Sequence, residues 1–409
     1  MKTNVQLNPE ATATELLEEY RPGSSFFFAS PRATLLAQGT IAVLPGSAGA
    51  NELQSLPERA ARLLAHIEQP GQRIPMLVGA VPFDSMQPAQ LVVPMTTYRT
   101  GPLSFEPHER VRRPIGSHFE TLAIPSPEGY VSGVEKALQR LRSGELDKIV
   151  LARALKLTSP NKVDIHQLLR NLAVNNTLGY TFAVDLPKRF EGTNQAPPNV
   201  EGQTLIGASP ELLVARSGRD VFVNPLAGSA PRSEDPVEDA RRAKALLASP
   251  KDLREHALVI EAVAEALRPF CDPLHVPASP SLVQTTTMWH LSTEIRGELK
   301  DPSVTSLALA VALHPTPAVC GSPTVLAREA IREIEPFDRG FYTGLVGWCD
   351  ASGDGEWIIT IRCAVAESRS LRLYAGAGVV AESSAESELQ ETTAKFKTML
   401  HAMGVDHEA

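Results

Sequence analysis

Residues 375–396 read AGAGVVAESSAESELQETTAKF: Gly376 and Gly378, then Glu388 and Glu391 at i and i+3. Glycines let a backbone approach a ligand closely, and residues three apart share one side of a helix. The two acids flank a stripe of Phe396, Met399, Leu400 and Met403. In DLREHALVIEAVAEAL, Glu255 shares a helix face with Leu258, Val259, Ala262 and Val263, where a carboxylate is costly unless paired or bound to a cation. If the two helices lie side by side, the acids form an oxygen-rich site suited to magnesium, a hard cation that keeps waters and binds ligand oxygens. The alternative is a set of solvated acids in first helical turns, where negative charge suits the dipole. Gly376-Ala-Gly378-Val-Val-Ala381 also fits a loose dinucleotide fingerprint, but the single amphipathic helix and short tail that follow leave no second strand for a nucleotide fold, and that reading is set aside.

Three more charged residues interrupt apolar surroundings. Lys148 heads the strand-like KIVLARALKL, where desolvation would suit a base and a snorkelling edge lysine is the plain alternative. Glu211 opens a strand after the Ser209-Pro210 turn, as a proton donor or as an exposed strand-end acid. Arg362 lies inside IITIRCAVA, where a buried guanidinium calls for a carboxylate or phosphate, from the protein or from a ligand. The loops NPLAGS, residues 224–229, and HPTPAVCG, residues 314–321, are tight; the prolines between His314 and Cys320 and the lack of an orienting group speak against a catalytic dyad.

The elements that must hold these residues follow from periodicity. Short strands with one helix near LPERAARLLAHI are expected over residues 1–120. VSGVEKALQRLRSGELD carries a helical stripe ended by Gly144, and the runs from KIVLARALKL to DVFVNPLAGS predict one large, mostly antiparallel sheet, with RFEGTNQAPPNVEGQ as an exposed excursion. Further helices are expected at DLREHALVIEAVAEAL, VTSLALAVAL and from about Ser384 to Met403, with strands at TGLVGWCD, EWIITIRCAVA and SLRLYAG. Helices and strands come in runs, which predicts an α+β fold.

Composition sets bounds. The chain has 409 residues, 43% hydrophobic, with a formal charge of -8 and no Lys/Arg run, so a nucleic-acid surface is not expected. No signal peptide and no membrane span are legible, which predicts a cytoplasmic protein. Cys271, Cys320, Cys349 and Cys363 form no C-x-x-C pair and read as reduced thiols.

DKIVLAR, GASPELL, PLAGS, REHALV, HPTPAVCG, PFDRGFYTGLVGWCD, TIRCA and AGAGVVAESSAESELQET, in this order, resemble the chorismate-utilising enzymes, which include isochorismate synthase, salicylate synthase, anthranilate synthase component I and aminodeoxychorismate synthase. The resemblance covers roughly residues 120–403. It implies a single large α/β sandwich-like fold with extended, mostly antiparallel sheets and flanking helices, with residues 1–120 as a diverged N-terminal part and 121–409 as the chorismate-binding catalytic region. It further implies that Glu255 and Glu391 ligate magnesium with Glu388 as a close partner, and that Gly228, Ser229, His290, Arg362, Gly376 and Gly378 bind substrate, Arg362 and the glycine amides holding the enolpyruvyl carboxylate.

Two positions choose among the family's reactions. Ammonia-using anthranilate synthases tend to carry Gln where this chain has Lys148, and many aminodeoxychorismate synthases have a nucleophilic Lys in PIKGT where PLAGS has Ala227. The resemblance therefore implies water as nucleophile: Lys148 as base for attack at C2 of chorismate, Glu211 as acid for the departing C4 hydroxyl. PFDRGFYTGLVGWCD and PLAGSAPR look similar to the siderophore-pathway isochorismate synthases of the dihydroxybenzoate type, with salicylate formation and pyruvate release as the alternative. Leu389 departs from the aromatic residue expected in EWxET. A monomer without a glutaminase subunit is expected.

Overall fold

The structure, a computed structural model, describes residues 12–23, 25–47, 51–67, 74–116, 118–176, 178–186 and 202–405. The expected polar excursion lies outside the described residues up to position 201. Helices and antiparallel strands make an α+β architecture, but the single large sheet expected from the sequence is three: one of ten strands, one of nine and one of three. Every described pairing is antiparallel. The N-terminal strands Ser25–Ala29, Thr34–Gln38 and Thr96–Thr100 extend the first sheet, while Met76–Val81 and Gln90–Val93 join the second.

The two large sheets face each other. In Gly355–Ile359, Ile358 points into the core shared with Phe26, Phe28 and Val346, whereas Trp357 and Ile359 pack outward against helices Pro250–Leu267 and Ser306–Leu313. Lys148–Thr158 alternates poorly because both of its faces are covered. Ala152 and Ala154 face the other sheet, Leu155 and Leu157 meet helix Ala385–Met403, and Ile149 and Leu151 meet helices Pro127–Arg142 and Thr324–Ile334. Ser384 caps the final helix by accepting from the Ser387 amide, and Gly404 ends it at φ 73°.

The chain changes sheets twice at one seam. Gln203–Ser209 belongs to the ten-stranded sheet and Leu212–Ser217 to the nine-stranded one, so Pro210 and Glu211 cross between them. The expected run EWIITIRCAVA is likewise broken: Gly355–Ile359 lies in the nine-stranded sheet, Cys363–Ala366 in the ten-stranded one, and Thr360–Arg362 crosses back. The crossings are laced together. Ser209 Oγ donates to the Ile359 carbonyl at 2.7 Å, the Ile359 amide to the Glu211 carbonyl at 3.2 Å, and the Ala208 amide to the Arg362 carbonyl at 3.0 Å. Arg362 sits at φ 50°, a left-handed conformation that a non-glycine residue holds only where its surroundings over-determine it.

Candidate active site

One cavity at this seam is lined by Glu211, Gly228, Ser229, Glu255, His290, Arg362, Gly376, Gly378 and Glu391, nine of the eleven residues expected from the sequence. They arrive from several separate parts of the fold. Glu211 and Arg362 come from the sheet crossings, Gly228 and Ser229 from strand Leu226–Pro231, and His290 from its neighbour Met288–Ser292, paired in register with Ser229. Gly228 takes φ 78°, with the side chain of Asp252 so near that a Cβ would lie 3.1 Å from it.

Lys148 and Glu388 stand behind this wall. Lys148 is fully buried, its Nζ 3.0 Å from Glu255 Oε1 in an ion pair that lacks hydrogen-bond alignment. The glycine beside them makes the room: a Cβ on Gly378 would lie 2.1 Å from that carboxylate oxygen and 3.1 Å from Lys148 Cε. Glu388 is equally buried, takes a hydrogen bond from Lys251 Nζ at 2.8 Å, and leaves Oε2 without a partner. Neither acid is a solvated helix shoulder.

Each expected metal ligand thus faces a lysine. Glu391 accepts from Lys395 Nζ at 2.6 Å and from Ser229 Oγ at 2.9 Å. Burial raises Glu388 to about 7, with Glu391 adding to the rise and Lys251 opposing it. For Glu391 burial is the largest influence and pushes upward, but Lys395, Lys251 and Ser229 together outweigh it and leave the group below its ordinary value. Lys251 feels Glu388, Glu391 and Glu255 together, which outweigh its own burial and raise it. Among the described residues no three His, Cys, Asp or Glu side chains form a ready-made cage. The donor chemistry nevertheless suits a hard divalent cation: three carboxylates on two helices that the Lys251–Glu388 ion pair joins, one of them with an orphaned buried oxygen.

Glu211 is buried, with the Leu226 amide 3.5 Å from Oε1. Burial pushes its carboxyl up to about 7, against that amide, Lys148 and Arg362, so near neutral pH a substantial fraction of the molecules hold a proton there to give. Arg362 has an unpartnered buried Nε and only a long contact, 3.4 Å, from Nη2 to His290 Nε2. His290 is held neutral, well below its ordinary value, first by burial and then by Arg362. A guanidinium left so sparsely paired beside a cavity is a receptor for an anion.

Lys395 Nζ also donates to the Gly376 carbonyl at 2.8 Å. In an antiparallel strand the N–H and C=O of one residue point to the same side, so the polar edges of Gly376 and Gly378 face away from strand Lys148–Thr158 and toward the cavity. Lys395 lines the cavity and was missed from sequence, although its i, i+4 spacing from Glu391 was a readable signal. Tyr342, Thr343 and Lys251 were missed as well, and only the tertiary fold brings them in. His256 steadies PLAGS: its Nδ1 lies 3.1 Å from the Ala227 carbonyl and its Nε2 2.8 Å from Thr293 Oγ1, while burial lowers the ring to about 4. Leu389 packs half-buried against the Ile149 cluster. Cys320 Sγ contacts the Thr324 carbonyl, and the four cysteines are free and buried. No helix among the described residues is long and apolar enough to cross a membrane.

Comparison with known proteins bears on this site. The chain is 58% identical over 398 residues to isochorismate synthase DhbC of Bacillus subtilis (strain 168), covering 97% of this chain and 98% of that one. It is 42% identical over 391 residues to the vibriobactin-specific isochorismate synthase of Vibrio cholerae, covering 96% and 94%. A crystal structure named for a 2,3-dihydroxybenzoate-specific isochorismate synthase, DhbC, from Bacillus anthracis superimposes with a TM-score of 0.89 at 52% identity, over 97% of this chain and all of that one. Anthranilate synthase component I from Streptococcus pneumoniae shares the fold, with a TM-score of 0.68 at 20% identity, over 98% and 99%. The sequence pattern described as chorismate binding enzyme matches residues 103–404, and the chain belongs to that family.

Proposed function

We propose that the protein is an isochorismate synthase that adds water at C2 of chorismate and expels the C4 hydroxyl, supplying isochorismate for a 2,3-dihydroxybenzoate siderophore. The observation that carries this reading is a protonatable, buried Glu211 in the same cavity as the sparsely paired Arg362 and Glu255, with Lys148 paired to Glu255 from behind the cavity wall. Arg362 and the polar edges of Gly376 and Gly378 hold the enolpyruvyl carboxylate, which fixes the ring between acid and base. Glu211 donates its proton to the leaving C4 oxygen. Lys148 takes a proton from the attacking water.

Glu255, Glu391 and Glu388 would hold a magnesium ion, which when bound would neutralise the ring carboxylate. Residues 1–120 serve as the N-terminal part of the same fold and 121–409 as the catalytic region. Water as nucleophile makes a glutaminase subunit unnecessary, and we take the enzyme to act as a cytoplasmic monomer.

The test is chromatography of products after incubation with chorismate and magnesium, beside a sample with chelator. Isochorismate without pyruvate, abolished by the chelator, is expected. Salicylate with pyruvate would move the reaction to the lyase branch, and unchanged chorismate would overturn the assignment.

A further inference from the structure

One edge of strand Lys148–Thr158 pairs continuously with Ser370–Val379, from Ser370 opposite Thr158 to Val379 opposite Ile149. The other edge is shared. Glu120–Ile124 covers residues 154–158, and Gly321–Ser322 covers Ile149 and Lys148. At the gap between these two short strands the Val150 carbonyl and the Ala152 amide meet side chains.

Arg339 Nη2 donates to the Val150 carbonyl at 2.7 Å, and the Ala152 amide donates to Glu335 Oε1 at 2.8 Å. The two side chains are themselves joined by a fork, Nε to Oε2 at 2.9 Å and Nη2 to Oε1 at 2.5 Å, with each side chain only 2% exposed. Arg339 Nη1 then donates to the Val319 carbonyl at 2.8 Å and to Thr343 Oγ1 at 3.2 Å. All five N–H groups of the guanidinium are thereby used. Val150, Val319 and Thr343 all line the active cavity, and Thr343 is held at φ 58°.

We propose that Arg339 is a positioning residue for the reaction proposed above: with Glu335 it takes the place of a strand at residues 150–152 and fixes the strand of Lys148 against Val319 and Thr343. A buried ion pair is poor ground for stability alone, since apolar replacements of such pairs are often neutral. Three backbone and hydroxyl acceptors from three separate segments are another matter. A lysine, with its donors radiating from one nitrogen, cannot reach all of them.

The test is Arg339→Lys, assayed for kcat and KM with chorismate at a temperature where circular dichroism shows both proteins folded, with hydrogen exchange followed on the 148–153 peptide. Displacing a base by about 1 Å can cost about 100-fold in rate. The expected result is kcat lower by about tenfold or more, KM within about threefold, and faster exchange at 148–153. A folded variant with kcat within about twofold of the parent overturns the proposal, because a purely structural residue would move only the melting temperature. If Arg339→Lys does not fold, Glu335→Gln carries the same test: its amide oxygen still accepts from Ala152 while the Nε arm of the fork to Arg339 is lost, and unchanged kcat overturns the proposal. If the parent protein itself fails to turn over chorismate, the proposed reaction falls, and the positioning claim is decided by the exchange at 148–153, with an unchanged rate overturning it.

Discussion

Glu211→Gln separates the acid's chemistry from its burial. In the folded protein the carboxyl titrates at about 7 instead of its ordinary 4.5, because burial disfavours the anion. At about 1.36 kcal/mol per pKa unit this gap is worth about 3 kcal/mol. The folded state binds the proton more tightly than the unfolded chain, so between pH 4.5 and 7 it carries more protons, and stability from this group falls as pH rises through that window. The full contribution is present below 4.5, and above about 7 the loss is complete. Glutamine keeps the shape and an oxygen for the Leu226 amide but never ionises.

The metal-free variant should therefore match the parent near pH 4.5 and exceed it at pH 8. At about 2.1 cal/mol/K per residue, the 409 residues unfold with an entropy of about 0.9 kcal/mol/K, so the gain is about 3–4 °C in melting temperature. Other groups titrate alike in both proteins, and the difference isolates Glu211. Melting curves by calorimetry at the two pH values decide it. A difference that stays constant within 1 °C would refute the claim that this carboxyl is held protonated by burial.

The same group predicts that kcat/KM of the parent bends downward above pH about 7, as Glu211 loses the proton it must donate; a profile flat to pH 9 would remove it as the acid. Lys148→Ala should lower turnover by about 100-fold or more while magnesium-dependent chorismate binding persists, and near-normal turnover would sink its role as base. Gly378→Ala puts a Cβ 2.1 Å from Glu255 Oε1, so it should displace that carboxylate and weaken magnesium binding measured by calorimetry; an unchanged affinity would show that Glu255 is no ligand. In Glu211→Gln, which holds chorismate unreacted, magnesium should bind at least tenfold tighter with substrate than without, and equal affinities would break the link between the two.

Much of the site was legible before the fold, for an identifiable reason. Glu255, Glu388, Glu391, Lys148 and Arg362 are charges within apolar periodicity, and such placements need a partner whatever the tertiary structure. Their pairing was not legible. The ion pairs Lys148–Glu255 and Lys251–Glu388 join residues far apart in sequence, and no local pattern encodes them. The sheet organisation was misread at the same points that make the site. The continuous β-rich run EWIITIRCAVA looks like a single strand yet changes sheets in its middle, and the Ser209-Pro210 turn, legible as a break between strands, is a crossing from one sheet to the other. The residues at those breaks, Arg362 and Glu211, are freed from the ladder to line the cavity.

The charge pattern of the cavity explains why acids and lysines occur there in matched numbers. Three buried or half-buried carboxylates would repel one another in the absence of a cation, and Lys148, Lys251 and Lys395 each stand against one of them. With Glu211 protonated, Arg362 is left as the one charge in this set without a carboxylate partner. In the proposed reaction it would be the anchor for the first carboxylate of a dianionic substrate. A second carboxylate entering beside Glu388 and Glu391 would meet only negative charge beyond the lysines already committed, and a divalent cation removes that obstacle while adding, together with the dianion, no net charge. Metal and substrate should then favour each other's binding by the same factor, since coupling between two sites is reciprocal. The lysine pairs offset the repulsion among the three glutamates, which is why the protein can keep them at a buried seam without unfolding around them.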